Sequence, residues 1–191
     1  METFILKTSA FHMTEEEFFD FCQQNDTLHI ERNENGEIIV SEPSGNYTSM
    51  LNIKLVTKLE NWNEQYQLGY AFNTDAGFTL PNHAVLSPDA AWIRKERFDS
   101  LSEADKERFA HICPDFVIEL KSPSDSLKDL KLKMLEWIQN GCRFALLINP
   151  QEQRVLIYRE NGTTEDRSFR EKISGEEILP GFELDLNFIK I

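Results

Sequence analysis

Phe116-Val117-Ile118-Glu119-Leu120-Lys121 reads as a strand whose two faces disagree. A period of two puts Ile118 and Leu120 on one side and Glu119 with Lys121 on the other. Ionisable side chains seldom occupy a core strand without a partner or a task. Downstream, Ser124-Asp125-Ser126 caps a helix carrying Leu127, Leu130, Met134, Trp137 and Ile138, which stops at Asn140-Gly141. Phe144-Ala145-Leu146-Leu147-Ile148-Asn149 is then almost wholly apolar, as in a strand covered on both faces. A helical crossover makes it parallel to the first strand. The fold class is therefore α/β (α+β), with a mixed central β-sheet flanked by helices.

Working outward, Thr14 with Glu17 three positions on forms a capping box, and Phe18, Phe21 and Cys22 give the helix behind it an apolar face. Leu28–Glu31 and Glu37–Val40 flank Asn35-Gly36, the pairing that favours a tight hairpin turn. Leu51, Leu55, Leu59, Trp62 and Tyr66 recur at helical spacing between about Gly45 and Gln67, which predicts the longest helix. Short strands are expected at Tyr70–Phe72, Gly77–Leu80 and Asp89–Ile93, then a polar helix capped by Ser102 with Asp105. Val155–Tyr158 supplies a hairpin partner for the last apolar strand.

The 191 residues fit one domain, 1–191, and 40% hydrophobic content with 14 Phe and 3 Trp is enough to bury a core. No apolar run approaches the roughly 18–20 residues of a membrane span. Met1-Glu2-Thr3-Phe4-Ile5-Leu6 lacks the basic start and long apolar stretch of a secretory signal, so a cytoplasmic location is expected. Cys22, Cys113 and Cys142 are too far apart for a metal knuckle and odd in number for a disulfide framework; they read as small buried hydrophobes. A net charge of −13 opposes general affinity for nucleic acid, although a cleft that gathers divalent cations is itself acidic.

Pro88-Asp89-Ala90-Ala91-Trp92-Ile93 adds a second acidic residue on another short strand. A hard cation such as Mg²⁺ takes oxygen ligands and usually only one or two protein carboxylates, beside water and substrate phosphate. Asp89 and Glu119 suit that need, and the Leu120 carbonyl could complete the shell. Lys121 could orient the attacking water and stabilise charge on the reacting phosphate. Spacing alone better describes a same-face ion pair between Glu119 and Lys121, with Asp89 merely in a turn. Asp75 could approach from the Phe72–Phe78 segment, or serve only as a turn former. His12, His29, His83 and His111 have no mutual metal-ligand spacing, and neither a Gly-x-Ser-x-Gly elbow nor a glycine-rich phosphate loop is present. Trp92, Trp137 and Phe144 read as core rather than base-stacking platforms.

At these residues the chain resembles a known group. Ser87-Pro88-Asp89 followed by Glu119-Leu120-Lys121 resembles the PD-(D/E)xK signature of restriction-endonuclease-like nucleases. Asn35-Gly36-Glu37, Gly77-Phe78-Thr79-Leu80-Pro81, Pro114-Asp115-Phe116, Glu119–Ser124, Lys133 followed by Trp137, and Leu179-Pro180-Gly181-Phe182 extend the likeness. Together they resemble the Uma family of putative restriction endonucleases across nearly the whole chain. The resemblance implies a restriction-endonuclease-like core and a DNA endonuclease, in which Asp89 and Glu119 bind Mg²⁺ (or Mn²⁺) and Lys121 assists phosphodiester hydrolysis. It also marks Lys133, since a lysine on the following helix recurs in the family, so that Lys133 shares or holds the role, or else is one of several solvated lysines with Lys128 and Lys131. Glu37, in a stretch like the family's early Gly-Glu pair, becomes an outer metal ligand or a solvent-facing hairpin residue. A homodimer is expected only because nucleases that cut both strands often pair two sites. The alternative function is a catalytically inactive nuclease-fold module that binds or regulates.

Overall fold

The computed structural model describes residues 3–6 and 13–190; Met1, Glu2 and His12 lie outside them. In chain order the elements are β1 (Thr3–Leu6), α1 (Glu15–Gln24), β2 (His29–Arg32), β3 (Ile38–Ser41), α2 (Asn46–Tyr66), β4 (Gly69–Asn73), β5 (Phe78–Thr79), β6 (Val85–Leu86) and β7 (Ala90–Arg94). There follow α3 (Lys95–Asp99), α4 (Glu103–Lys106), β8 (Phe116–Leu120), α5 (Leu127–Gln139), β9 (Phe144–Asn149), β10 (Arg154–Arg159), β11 (Thr164–Ser168), β12 (Ile173–Ser174) and β13 (Glu183–Leu184).

The strand–helix–strand unit is as the sequence implies. Ser126 accepts the Asp129 amide at the start of α5, and β8 and β9 pair in parallel from Phe116↔Phe144 to Leu120↔Ile148. They are the middle of a mixed six-stranded sheet ordered β11-β10-β9-β8-β7-β4, in which every other pairing is antiparallel. Alternation along β8 and β9 sorts the core into two layers. Phe116, Ile118, Leu120, Phe144, Leu146 and Ile148 meet Leu51, Leu55, Leu59 and Trp62 of α2, together with Leu179, Phe182 and Leu184 of the C-terminal tail. Val117, Ala145 and Leu147 meet Met134 and Trp137 of α5 on the other side. The Leu179–Phe182 word is structural, since Trp62 Nε1 donates to the Pro180 carbonyl at 3.0 Å.

A second sheet runs β1-β3-β2-β6-β5. Its hairpin forms around Asn35-Gly36, where Gly36 takes φ 79° and the Asn33 side-chain oxygen accepts the amides of Asn35 and Glu37. The chain leaves this sheet at β6 and enters the large one at β7 through Ser87-Pro88-Asp89, so Asp89 stands where the two sheets join.

The capping box of α1 is present, with the Glu17 amide on Thr14 Oγ1 at 3.2 Å and the Thr14 amide on Glu17 Oε2 at 2.8 Å. The helix expected behind Ser102 is only the four residues of α4, and α3 precedes it unannounced. Cys113 and Cys142 are buried and Cys22 partly so. Trp92, Trp137 and Phe144 are core residues. No helix among the described residues is long and apolar enough to cross a membrane.

Gly69 begins β4 hard against β7: a Cβ there would lie 2.2 Å from the Ile93 carbonyl and 2.5 Å from the Trp92 ring. Gly69→Ala is expected to destabilise by about 1–3 kcal/mol, because overpacking must displace backbone or a buried indole. Chemical denaturation measures it; an unchanged midpoint would mean that β4 moves freely against β7.

Candidate active site

The antiparallel register of β7 and β8 pairs Ala90 with Ile118. Continued by one residue, it sets Asp89 opposite Glu119, neighbours in the sense that cross-strand side chains contact one another. Each is then held by a different element. Asp89 Oδ2 accepts the Leu120 amide at 2.7 Å, and Oδ1 accepts Asn52 Nδ2 of α2 at 2.7 Å. Glu119 Oε1 accepts Trp137 Nε1 of α5 at 2.9 Å and Lys133 Nζ at 3.0 Å. Lys133 and Trp137 are four apart, hence on one helical face, and that face is turned to the sheet.

The second sheet contributes Glu31. Its Oε1 accepts the Ser87 amide at 2.7 Å and pairs with Lys133 Nζ at 2.9 Å, while Lys133 also donates to the Ser87 carbonyl at 3.1 Å. An ammonium has three donors, and all three of Lys133 are engaged. Glu31, Asn52, Asp89, Glu119, Leu120 and Lys133 line one cavity of about 870 Å³. Its walls also carry Asp26, Glu42, Asp75, Asp125 and Asp129.

Three carboxylates therefore face one ammonium, and their titration reflects the imbalance. Burial pushes the Glu119 carboxyl up to about 7, reinforced by the charges of Asp89 and Glu31 and opposed by Lys133. Burial also raises Asp89, against the pull of the Leu120 amide and Lys133. For Glu31, burial is outweighed by Lys133, His29 and the Ser87 amide, and the carboxyl ends below its ordinary value. Burial would lower Lys133, but Glu119 and Glu31 hold it above the ordinary lysine value. Such a site is short of positive charge.

Asp89, Glu119, Leu120 and Lys133 are thus brought together. Lys121 is set apart: β8 ends at Leu120, and Lys121 Nζ donates to the Ser122 carbonyl at 2.8 Å without lining the cavity. Glu37 stays at the hairpin, its Oε2 accepting Asn33 Nδ2 at 2.8 Å. Asp75 combines both of its readings, since it lines the cavity and its amide closes a turn on Asn73 Oδ1. Sequence reasoning missed Glu31 and Asn52. Glu31 alternates with buried Ile30 along β2, and Asn52 adjoins Leu51 in the apolar stripe of α2; those were the available signals.

The donor set fits a hard divalent cation. It is all oxygen and it carries excess negative charge around Lys133. That suits Mg²⁺, which keeps water and substrate oxygens in its shell.

This architecture, with paired acidic residues and a helix lysine at the end of a mixed sheet, is that of a restriction-endonuclease-like protein. A putative nuclease belonging to DUF820 from Anabaena variabilis has the same fold: TM-score 0.74 at 21% identity, over 91% of this chain and 94% of that one. The family model Uma2, "Putative restriction endonuclease", matches residues 15–187, and the chain belongs to that family. No curated protein matches it.

Proposed function

We propose that the protein is a metal-dependent endonuclease hydrolysing phosphodiester bonds in DNA. The observation that carries this reading is the meeting of Asp89, Glu119 and Lys133 in one cavity, with Lys133 Nζ 3.0 Å from Glu119 Oε1. Family membership and the fold shared with the Anabaena nuclease support it.

Asp89 and Glu119 would hold Mg²⁺, with Mn²⁺ as a substitute and the carbonyl of cavity-lining Leu120 as a third candidate ligand. A bound cation lowers the pKa of its water and neutralises charge on the scissile phosphate. The Leu120 amide and Asn52 fix both oxygens of Asp89, so that carboxylate is presented in one orientation. Trp137 and Lys133 both hold one oxygen of Glu119, Oε1. We assign the lysine's role to Lys133, whose ammonium already balances carboxylate charge in the cavity and could turn to the reacting phosphate. The acidic walls favour an approach that depends on cations, because unscreened they repel a polyanion.

Purified protein with Mg²⁺ or Mn²⁺ should nick or cut plasmid DNA and lose that activity in chelator. Asp89→Asn, of nearly the same shape, should reduce the rate at least about 100-fold with the circular dichroism spectrum unchanged. Cleavage by the variant at the wild-type rate would assign the activity elsewhere. The net charge of −13 favours a second reading, a nuclease-fold binding module without catalysis. Mn²⁺ binding without cleavage of DNA or RNA would select it.

A further inference from the structure

Among the described residues, one buried side-chain nitrogen or oxygen lacks a hydrogen-bond partner, and it is Asn52 Oδ1, in the wall of this cavity. Buried polar atoms are almost always satisfied, so a lone exception calls for a cause. Amide rotation does not remove it. The other end, Nδ2, donates to Asp89 Oδ1 at 2.7 Å, and exchanging the two ends would press an amide oxygen against a carboxylate oxygen while orphaning a donor instead. Asp89 therefore dictates which way Asn52 faces. Helix propensity does not explain the residue either, since asparagine is a mediocre helix former in a helix interior. Leu51 and Leu55 beside it are 1% exposed and fix this turn of α2 against the sheet, with Asn52 in the cavity wall.

An acceptor without a donor, next to a carboxylate in a cluster short of positive charge, is suited to a cation or to the water a cation carries. We propose that Asn52 is a positioning residue and a neutral oxygen ligand of the metal site: its N–H orients Asp89, and its Oδ1 joins the shell of the divalent cation, directly or through a bound water. Amide carbonyls are ordinary ligands of hard cations. This inference rests on the metal-dependent reading above, and it adds a residue from α2, outside the strands and helix that carry the acidic signature.

Titration calorimetry with Mn²⁺, together with the Mn²⁺-induced rise in unfolding temperature, tests it on four proteins. Wild type should bind, and Asp89→Asn should not. Asn52→Ala should bind at least about ten times more weakly, the equivalent of 1.4 kcal/mol. Asn52→Asp loses the N–H but keeps an oxygen at the vacated place; it should bind within a few-fold of wild type, with a lower unfolding temperature when metal-free. If the Asp variant binds as poorly as the Ala variant, Asn52 acts only by clamping Asp89 and the ligand role is overturned. Undiminished binding by Asn52→Ala overturns both roles. Failure of wild type to bind Mn²⁺ overturns the metal-dependent reading itself, and this inference with it.

Discussion

Replacing Lys133 with methionine lowers the unfolding midpoint of the metal-free protein at pH 8 by on the order of 10 °C. Removing one member of a buried ion pair costs about 3–5 kcal/mol, and in a domain of this size each kcal/mol moves the midpoint by about 2–4 °C. Methionine keeps most of the unbranched stem, so packing changes little and the loss reports the ammonium. What is lost are contacts to Glu31 at 2.9 Å, Glu119 at 3.0 Å and the Ser87 carbonyl at 3.1 Å, leaving three carboxylates facing one another. The pH dependence follows from the direction of the shifts. Without Lys133 the carboxyls of Glu119 and Asp89 rise further above their unfolded values and Glu31 loses the main charge that holds it low. A raised carboxyl favours folding at low pH and loses that benefit as pH climbs through the folded value. The deficit should therefore shrink toward pH 5. Mn²⁺ should restore part of it at pH 8, because the cation takes over the missing positive charge. A deficit that is the same at pH 5 and pH 8 would mean that Lys133 matters for packing rather than charge.

Most of the framework was legible because it is local. The capping box at Thr14, the Asn35-Gly36 turn, the apolar stripe of α2 and the β8–α5–β9 unit are all patterns a few residues long, and each appears where its chemistry requires. Strand β5 falls inside the expected Gly77–Leu80, whereas β6 has two residues, too few for a period to show. The polar strand β11 offers no alternation to read; its backbone pairs antiparallel with β10, and its side chains add charge pairs such as Arg154–Asp166 at 2.7 Å and Arg159–Glu165 at 2.7 Å.

The site was legible only where one element decided it. Glu119 and Asp89 are placed by the pairing of two strands. Lys121 was put beside Glu119 by extending a period of two through a position at which the strand has already ended. Lys133 looked like one of several solvated lysines, yet its spacing from Trp137 already placed it on the buried face of α5, with a side chain 18% exposed. Glu31 could not be found this way. Its contact with Lys133 depends on how the small sheet sits against α5, a non-local relation that no sequence period encodes.

Glu119→Gln should separate stability from function. Glutamine keeps an oxygen to accept Trp137 Nε1, now 2.9 Å from Glu119 Oε1, and removes one of three negative charges while Lys133 retains Glu31 and Ser87. The wild-type carboxyl, raised by burial to about 7, binds its proton more tightly in the folded state than in the unfolded chain. Its contribution to folding is thus complete below the unfolded value and lost as pH rises toward and through about 7. Glutamine has no such loss. At pH 5 the metal-free variant and wild type should melt close together, and by pH 8 the variant should lead by about 5 °C. DNA cleavage should meanwhile fall at least about 100-fold, since the proposed cation would lose a charged ligand. A buried carboxylate kept at a cost to stability is the expected mark of a residue retained for chemistry. The opposite result, a variant less stable at pH 8 that still cleaves DNA, would make Glu119 a structural partner of Trp137 and move the metal site away from β8.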